Sequence, residues 1–198
     1  MSKYWMIFEL LFILIVLSSV IALVTAAVQA ARGRSRKALR ILGVVAASLA
    51  VYFTICCLST VFTPRRVLTI GEPQCFDDWC IELSGATRTA AGSIVTYQTS
   101  IRIFNRARGV AQRENGIAFY LEDDQGHRYA PIQNSADIPT NALLQHGESI
   151  TLTRGFQIPS NTYLVGFVAT HEGGFPIQWF IIGEGQSLFH KEPITPLP

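Results

Sequence analysis

The chain has 198 residues, 49% of them hydrophobic and 15% charged, with a formal net charge of +2. That near-neutral total hides an asymmetry, because residues 1–66 carry 8 basic and 1 acidic side chains while residues 67–198 carry 8 basic and 13 acidic. A net acidic distal part argues against nucleic acid as a partner, since such binding needs a basic surface to release counterions from phosphates.

Two apolar stretches open the chain, from about Trp5 to Val28 and from about Ile41 to Phe62. Each is about 22 residues, enough at ~1.5 Å per residue to cross a ~30 Å hydrocarbon core. The pattern predicts a transmembrane helical hairpin over 1–66, with helices at about 5–30 and 39–62. The connecting loop, 31–38, and its edge carry Arg32, Arg34, Arg36, Lys37 and Arg40. Short loops rich in Lys and Arg stay in the cytoplasm, so both termini and everything after Phe62 are expected on the extracytoplasmic side. The first run is too long for a cleaved secretion signal, whose apolar core spans about 7–15 residues. A two-pass protein of a bacterial inner (plasma) membrane, facing the periplasm, is the expected setting, with the lipid bilayer as one partner.

Small residues recur every four positions at Ser18, Ala22, Ala26 and Ala30, and again at Gly43 and Ala47, beside Ala46 and Ala50. Such faces let helix backbones approach closely in lipid, and they predict packing between the two helices. Glu9 is the one ionisable group well inside either run, close enough to the helix start to reach headgroups or to contact another subunit. Cys56 and Cys57, within the second run, read as small buried hydrophobes.

Beyond a short linker of Pro64, Arg65 and Arg66, residues 67–188 have the size of one globular domain. Cys75 and Cys80 flank Phe76–Trp79 and are predicted to form a disulfide in an oxidising compartment, worth roughly 2 kcal/mol for so short a ring. The spacing does not match the C-x-x-C of zinc or redox sites. Between Ile94 and Asn105, alternate residues Val95, Tyr97, Thr99, Ile101 and Ile103 share one face, with Gln98, Ser100 and Arg102 opposite, the period of a half-buried strand. Tyr163, Val165, Phe167 and Ala169 repeat it. Cys80–Thr87, Ile117–Glu122, Ser149–Phe156 and Trp179–Ile182 are further strand candidates. Six to eight strands without a helix predict an all-β, immunoglobulin-like antiparallel sandwich.

The run Phe119, Leu121, Asp123, Gly126, Tyr129 reads as strand, polar turn and returning strand. With the strand ending at Asn105, Leu144 and Gly147–Ser149, and Phe156–Pro159, it resembles a bacterial family of telokin-like, immunoglobulin-like extracytoplasmic domains catalogued as a domain of unknown function. The resemblance covers about Cys80 to Thr170. It implies fold and location rather than activity.

No catalytic set is visible. His171–Glu172 begins H-E-x-x-H, but Phe175 stands where the second histidine belongs, and the glycines at 183 and 185 lack a βαβ setting. Glu122, Asp123, Asp124 and His127 form an acidic hairpin tip that supplies too few oxygens for calcium, and Asp and Gly are what a tight turn prefers. No pigment, haem or quinone ligand is evident, so no cofactor and no enzymatic activity are expected. Phe175, Trp179, Phe180 and Phe189, with Pro193 and Pro196 of the 189–198 tail, form an unusually apolar carboxy-terminal region and a candidate partner surface. The expected function is a non-catalytic structural or accessory subunit that binds other integral membrane proteins of a larger complex, of the kind found in respiratory or photosynthetic assemblies. The alternative is a ligand- or ion-sensing module using Asp123, Asp124 and His127.

Overall fold

The computed structural model describes residues 5–76, 78–133, 138–172, 180–181 and 190–198, which divide into two compact units. The first contains helices α1 (Trp5–Ala31) and α2 (Ser35–Phe62). α1 ends because Gly33 adopts the left-handed conformation (φ 74°), with its N–H on the Ala30 carbonyl (2.9 Å) and the Arg34 N–H on that of Gln29 (2.9 Å). This pair of bonds caps the last carbonyls of α1 and turns the chain at once. The connection is therefore shorter than the expected 31–38, and Arg36, Lys37 and Arg40 ride on the first turns of α2.

The helices pack along a seam with seven-residue spacing. Phe12, Ile15, Ser19, Ala22, Ala26 and Gln29 are shielded on α1, and Ala38, Ile41, Val45, Tyr52 and Cys56 on α2. The Phe12 and Tyr52 rings lie 6.3 Å apart across it. A heptad seam is the pattern of left-handed helix pairs. It corrects the expected four-residue face, which drifts about 40° per step around a helix of 3.6 residues per turn. Ala22 and Ala26 lie in the seam, but Ser18, Ala30, Gly43 and Ala47 face outward.

The second unit is a two-sheet sandwich. One sheet runs β1 (Gln74–Phe76), β2 (Trp79–Ala91), β3 (Ile94–Asn105), β6 (Ser149–Pro159); the other runs β5 (Arg128–Tyr129), β4 (Ile117–Asp123), β7 (Leu164–His171). All named pairings are antiparallel. β3 alternates as its sequence dictates: Val95, Tyr97, Thr99, Ile101 and Ile103 are buried, with polar partners facing out. These inward residues, with Ile81, Leu152 and Phe156, meet Phe119, Leu121 and Phe167 of the opposite sheet, and the Phe119 and Phe167 rings sit 5.7 Å apart. Burial of this apolar area at about 25 cal/mol per Å² is the main stabilising term. The chain crosses from β3 to β4, back to β6 and again to β7, an immunoglobulin-like order in which β3 pairs with β6, the strand that returns from the other sheet.

The carboxy-terminal residues complete this fold instead of forming a free tail. Thr195 pairs antiparallel with Phe167, and Ile194 pairs parallel with Val67. Ile194 and Thr195 are buried, and Leu197 packs on the core. Pro193 and Pro196 bracket this two-residue strand because neither has an N–H to extend the ladder. Residues 192–198 thus belong with the β unit, whereas Phe180 and Ile181 group with the helices. The expected boundary at 188 lies outside the described residues. Phe180 and Ile181 are in no sheet, contrary to the expected strand there, and Trp179 and Ile182 lie outside the described residues.

Candidate functional site

The first candidate is the Cys75–Cys80 hairpin. β1 and β2 bring the two residues directly opposite each other, and their sulfurs are bonded at 2.02 Å. Cys80 is fully buried, Cys75 is exposed, and the Arg106 guanidinium lies 3.9 Å from the Cys75 sulfur. The Gln74 side chain donates to the Ala169 carbonyl (3.2 Å), and the Phe76 ring rests against His171 (5.9 Å). The hairpin therefore joins both sheets at one end of the sandwich. This is structural stapling.

The acidic tip behaves as a turn. Asp123 Oδ1 accepts the N–H groups of Gln125 (3.0 Å) and His127 (2.7 Å), while Oδ2 accepts the Tyr129 hydroxyl (3.1 Å) and faces His127 Nδ1 (3.0 Å). Burial alone would raise the pKa of Asp123, but the donors from His127, Tyr129 and Gln125 outweigh it and hold the carboxyl below the usual range. Gly126 (φ 82°) supplies the left-handed turn residue. With both oxygens engaged, Asp123 has little left for a cation. Among the described residues there is no group of three or more His, Cys, Asp or Glu placed to hold a metal.

Next to this turn is an ionic node that sequence patterning does not mark. Glu122 pairs with Arg65 and with Arg128 (3.4 Å); Arg128 also pairs with Glu192, and Arg65 Nε donates to the Glu192 carbonyl (2.7 Å). Arg128 lies over the Tyr120 ring at 5.5 Å. Arg65, assigned to the linker from its position in the sequence, is thereby part of the β unit. Asn105, 1% exposed, is likewise fully used: its amide donates to the carbonyls of Val110 and Leu144, and its oxygen accepts the Ala107 N–H. Short-range spacing gives no sign of either, because the partners are up to 127 residues apart.

A shallow cleft of about 450 Å³ lies between Pro131–Gln133, Ile138–Asn141 and Arg154. Arg154 is its charged lining residue among those described, and its guanidinium donates to the Thr153 (3.0 Å) and Ile138 (2.5 Å) carbonyls. No nucleophile and base are juxtaposed there among the described residues.

The helix surfaces are the remaining candidate. At 100° per residue, Gly43, Ala46, Ala47 and Ala50 form a small-residue strip on the side of α2 roughly opposite the seam residues Ala38, Ile41, Val45, Tyr52 and Cys56. All four of the strip are exposed. Of the predicted partner surface, Phe180 is exposed and touches α2, Pro193 and Pro196 flank the closing strand, and Phe175, Trp179 and Phe189 lie outside the described residues.

No protein-family model and no curated protein matches the chain. Among solved structures, it is similar to an uncharacterised β-sandwich protein from Clostridium difficile 630 (TM-score 0.44, 11% identity, 69% of this chain and 96% of that one). It is also similar to the yjhA protein from Bacillus subtilis (0.42, 12%, 66% and 98%) and to the secreted protein MPT63 from Mycobacterium tuberculosis (0.41, 12%, 57% and 93%). The fold assignment rests on the strand pairings of this chain, and these likenesses add nothing about function.

Proposed function

We propose that this chain is a non-catalytic, membrane-anchored structural or accessory subunit. Its two-pass hairpin holds an immunoglobulin-like domain on the extracytoplasmic side of a bacterial plasma membrane, where it binds and stabilises other integral membrane proteins. The resemblance to telokin-like extracytoplasmic domains is part of this reading. The observation that carries it is the Gly43/Ala46/Ala47/Ala50 strip, which is left over once α1 and α2 have packed. Hydrocarbon gives helices no hydrophobic reason to associate, so close approach over small residues is a principal source of contact. A strip of them facing away from the seam suits a third helix, supplied by a partner. Large residues outside the seam, such as Leu10, Leu14, Leu17 and Val44, suit acyl chains.

Gentle detergent extraction followed by native mass measurement tests the proposal. The expected species is far heavier than the 21.9 kDa monomer after the detergent mass is subtracted. Gly43→Leu with Ala47→Leu should return the protein to monomer, because larger side chains hold a partner helix away. A wild-type chain that is monomeric in such extracts contradicts the proposal.

A further inference from the structure

After β7 the chain returns to the helices, and two residues show where. The Tyr52 hydroxyl donates to the Phe180 carbonyl at 2.7 Å, the Phe180 ring lies 6.4 Å from that of Phe53, and Ile181 is buried. Tyr52 is level with Phe12 across the seam. Phe12 is seven residues into α1 from Trp5, and Tyr52 is ten residues short of the end of α2 at Phe62. At ~1.5 Å per residue, the contact lies about 10 Å inside one helix end and about 15 Å inside the other.

We infer that the chain re-enters the bilayer from the extracytoplasmic side, placing Phe180 and Ile181 at acyl-chain depth beside α2, where Phe180 contacts lipid. The inference rests on the reading of α1 and α2 as membrane spans. Irregular backbone is tolerated at such depth only where its polar groups find partners within the protein. The bond from Tyr52 meets that need for the Phe180 carbonyl, and the carbonyl in turn satisfies a phenol on an otherwise apolar stretch of α2. Phe180 stays 39% exposed, an apolar residue suited to acyl chains and costly in water. The surrounding sequence agrees: Phe175 to Ile182 contains no charge, with Gln178 its one polar side chain, and Glu172 and Glu184 stand outside it. A docking site for a soluble protein partner is the competing reading, and it would place these residues in water when the chain is alone.

The full chain, with Cys56→Ala and Cys57→Ala, reconstituted in phosphatidylcholine vesicles without any partner, separates the two. A nitroxide is attached at Phe180→Cys, and its collision rates with oxygen and with a water-soluble nickel chelate are compared. Labels at Val16 in α1 and at Thr87 in the β2–β3 hairpin serve as references. The ratio of oxygen to nickel collisions at 180 should exceed one, as at Val16, and fall below one at Thr87. A water-like ratio at 180 with a lipid-like ratio at Val16 overturns the re-entrant segment and leaves the spans standing, whereas a water-like ratio at Val16 overturns the spans themselves. Because Phe180→Cys removes the ring, Phe180→Trp in a Trp5→Phe, Trp179→Phe background provides a bulkier check. Its emission, after subtraction of the buried Trp79 signal measured in the same background with Phe180 intact, should be quenched by acyl-brominated lipid in preference to aqueous acrylamide, and the reverse preference contradicts the inference.

Discussion

Gly166 in β7 lies so close beneath the Thr195 carbonyl that a Cβ on Gly166 would overlap it, and the same Cβ would stand 2.9 Å from Ile194 Cγ1. The carboxy-terminal strand rests on bare backbone. Gly166→Ala should therefore push Ile194 and Thr195 off the sheet edge. Overpacking of this kind costs about 1–3 kcal/mol. Thermal unfolding of the full chain in detergent, followed by near-ultraviolet circular dichroism, should show a lower midpoint, and deletion of Glu192–Pro198 should lower it further. An unchanged midpoint for the deletion would mean that the tail is dispensable to the fold.

The helix seam makes a paired prediction. Ala26 is 4% exposed, whereas Gly43 faces away from α1. Ala26→Leu should separate the helices and weaken the hairpin by about 1–3 kcal/mol, while Gly43→Leu should leave hairpin stability unchanged or slightly raised through better helix propensity. Distance measurements between spin labels on α1 and α2 check this. Equal perturbation by both substitutions would contradict the heptad seam.

The local features of the fold are legible in the sequence and the distant ones are not. β3 is readable because its buried set, Val95 to Ile103, alternates strictly, and the disulfide because Cys75 and Cys80 are neighbours in the chain. The seam is harder: a four-residue repeat of small side chains is visible in α1, but which face is used depends on the partner helix, and Tyr52 and Cys56 belong to it for reasons of geometry. The closing strand is invisible locally, since Ile194 and Thr195 sit between prolines and gain their partners only from Val67 and Phe167, far away in the chain. The same holds for the ionic node, where Glu122 collects Arg65 and Arg128 from separate segments.

Removing the staple should matter for stability alone. Cys75→Ser with Cys80→Ser should cost roughly 2 kcal/mol, the loop-entropy value for a ring this short. Intact-mass analysis of unreduced wild-type protein should show a two-hydrogen deficit mapping to the peptide that holds both cysteines. Two free thiols there would contradict the bond.

The turn at Asp123 gives the β unit a specific acid sensitivity. Its pKa is lower in the fold than in the unfolded chain, so it contributes stability that is fully present above the unfolded value of about 3.9 and is lost as the pH falls through the lower folded value. Asp123→Asn should lower the unfolding midpoint at pH 7 and flatten its decline between about pH 5 and pH 2. A variant that keeps the wild-type acid profile would show that the hydrogen bonds from His127 and Tyr129 contribute nothing through the charge.

The orientation of the anchor decides whether the β domain meets partners outside the cytoplasm, and cysteine accessibility measures it directly. In a Cys56→Ala, Cys57→Ala background, Thr87→Cys on the β2–β3 hairpin should react with a membrane-impermeant maleimide in intact cells. Ser35→Cys, at the start of α2 beside the basic turn, should react only after the membrane is opened. Labelling of Ser35→Cys but not Thr87→Cys in intact cells would contradict the account.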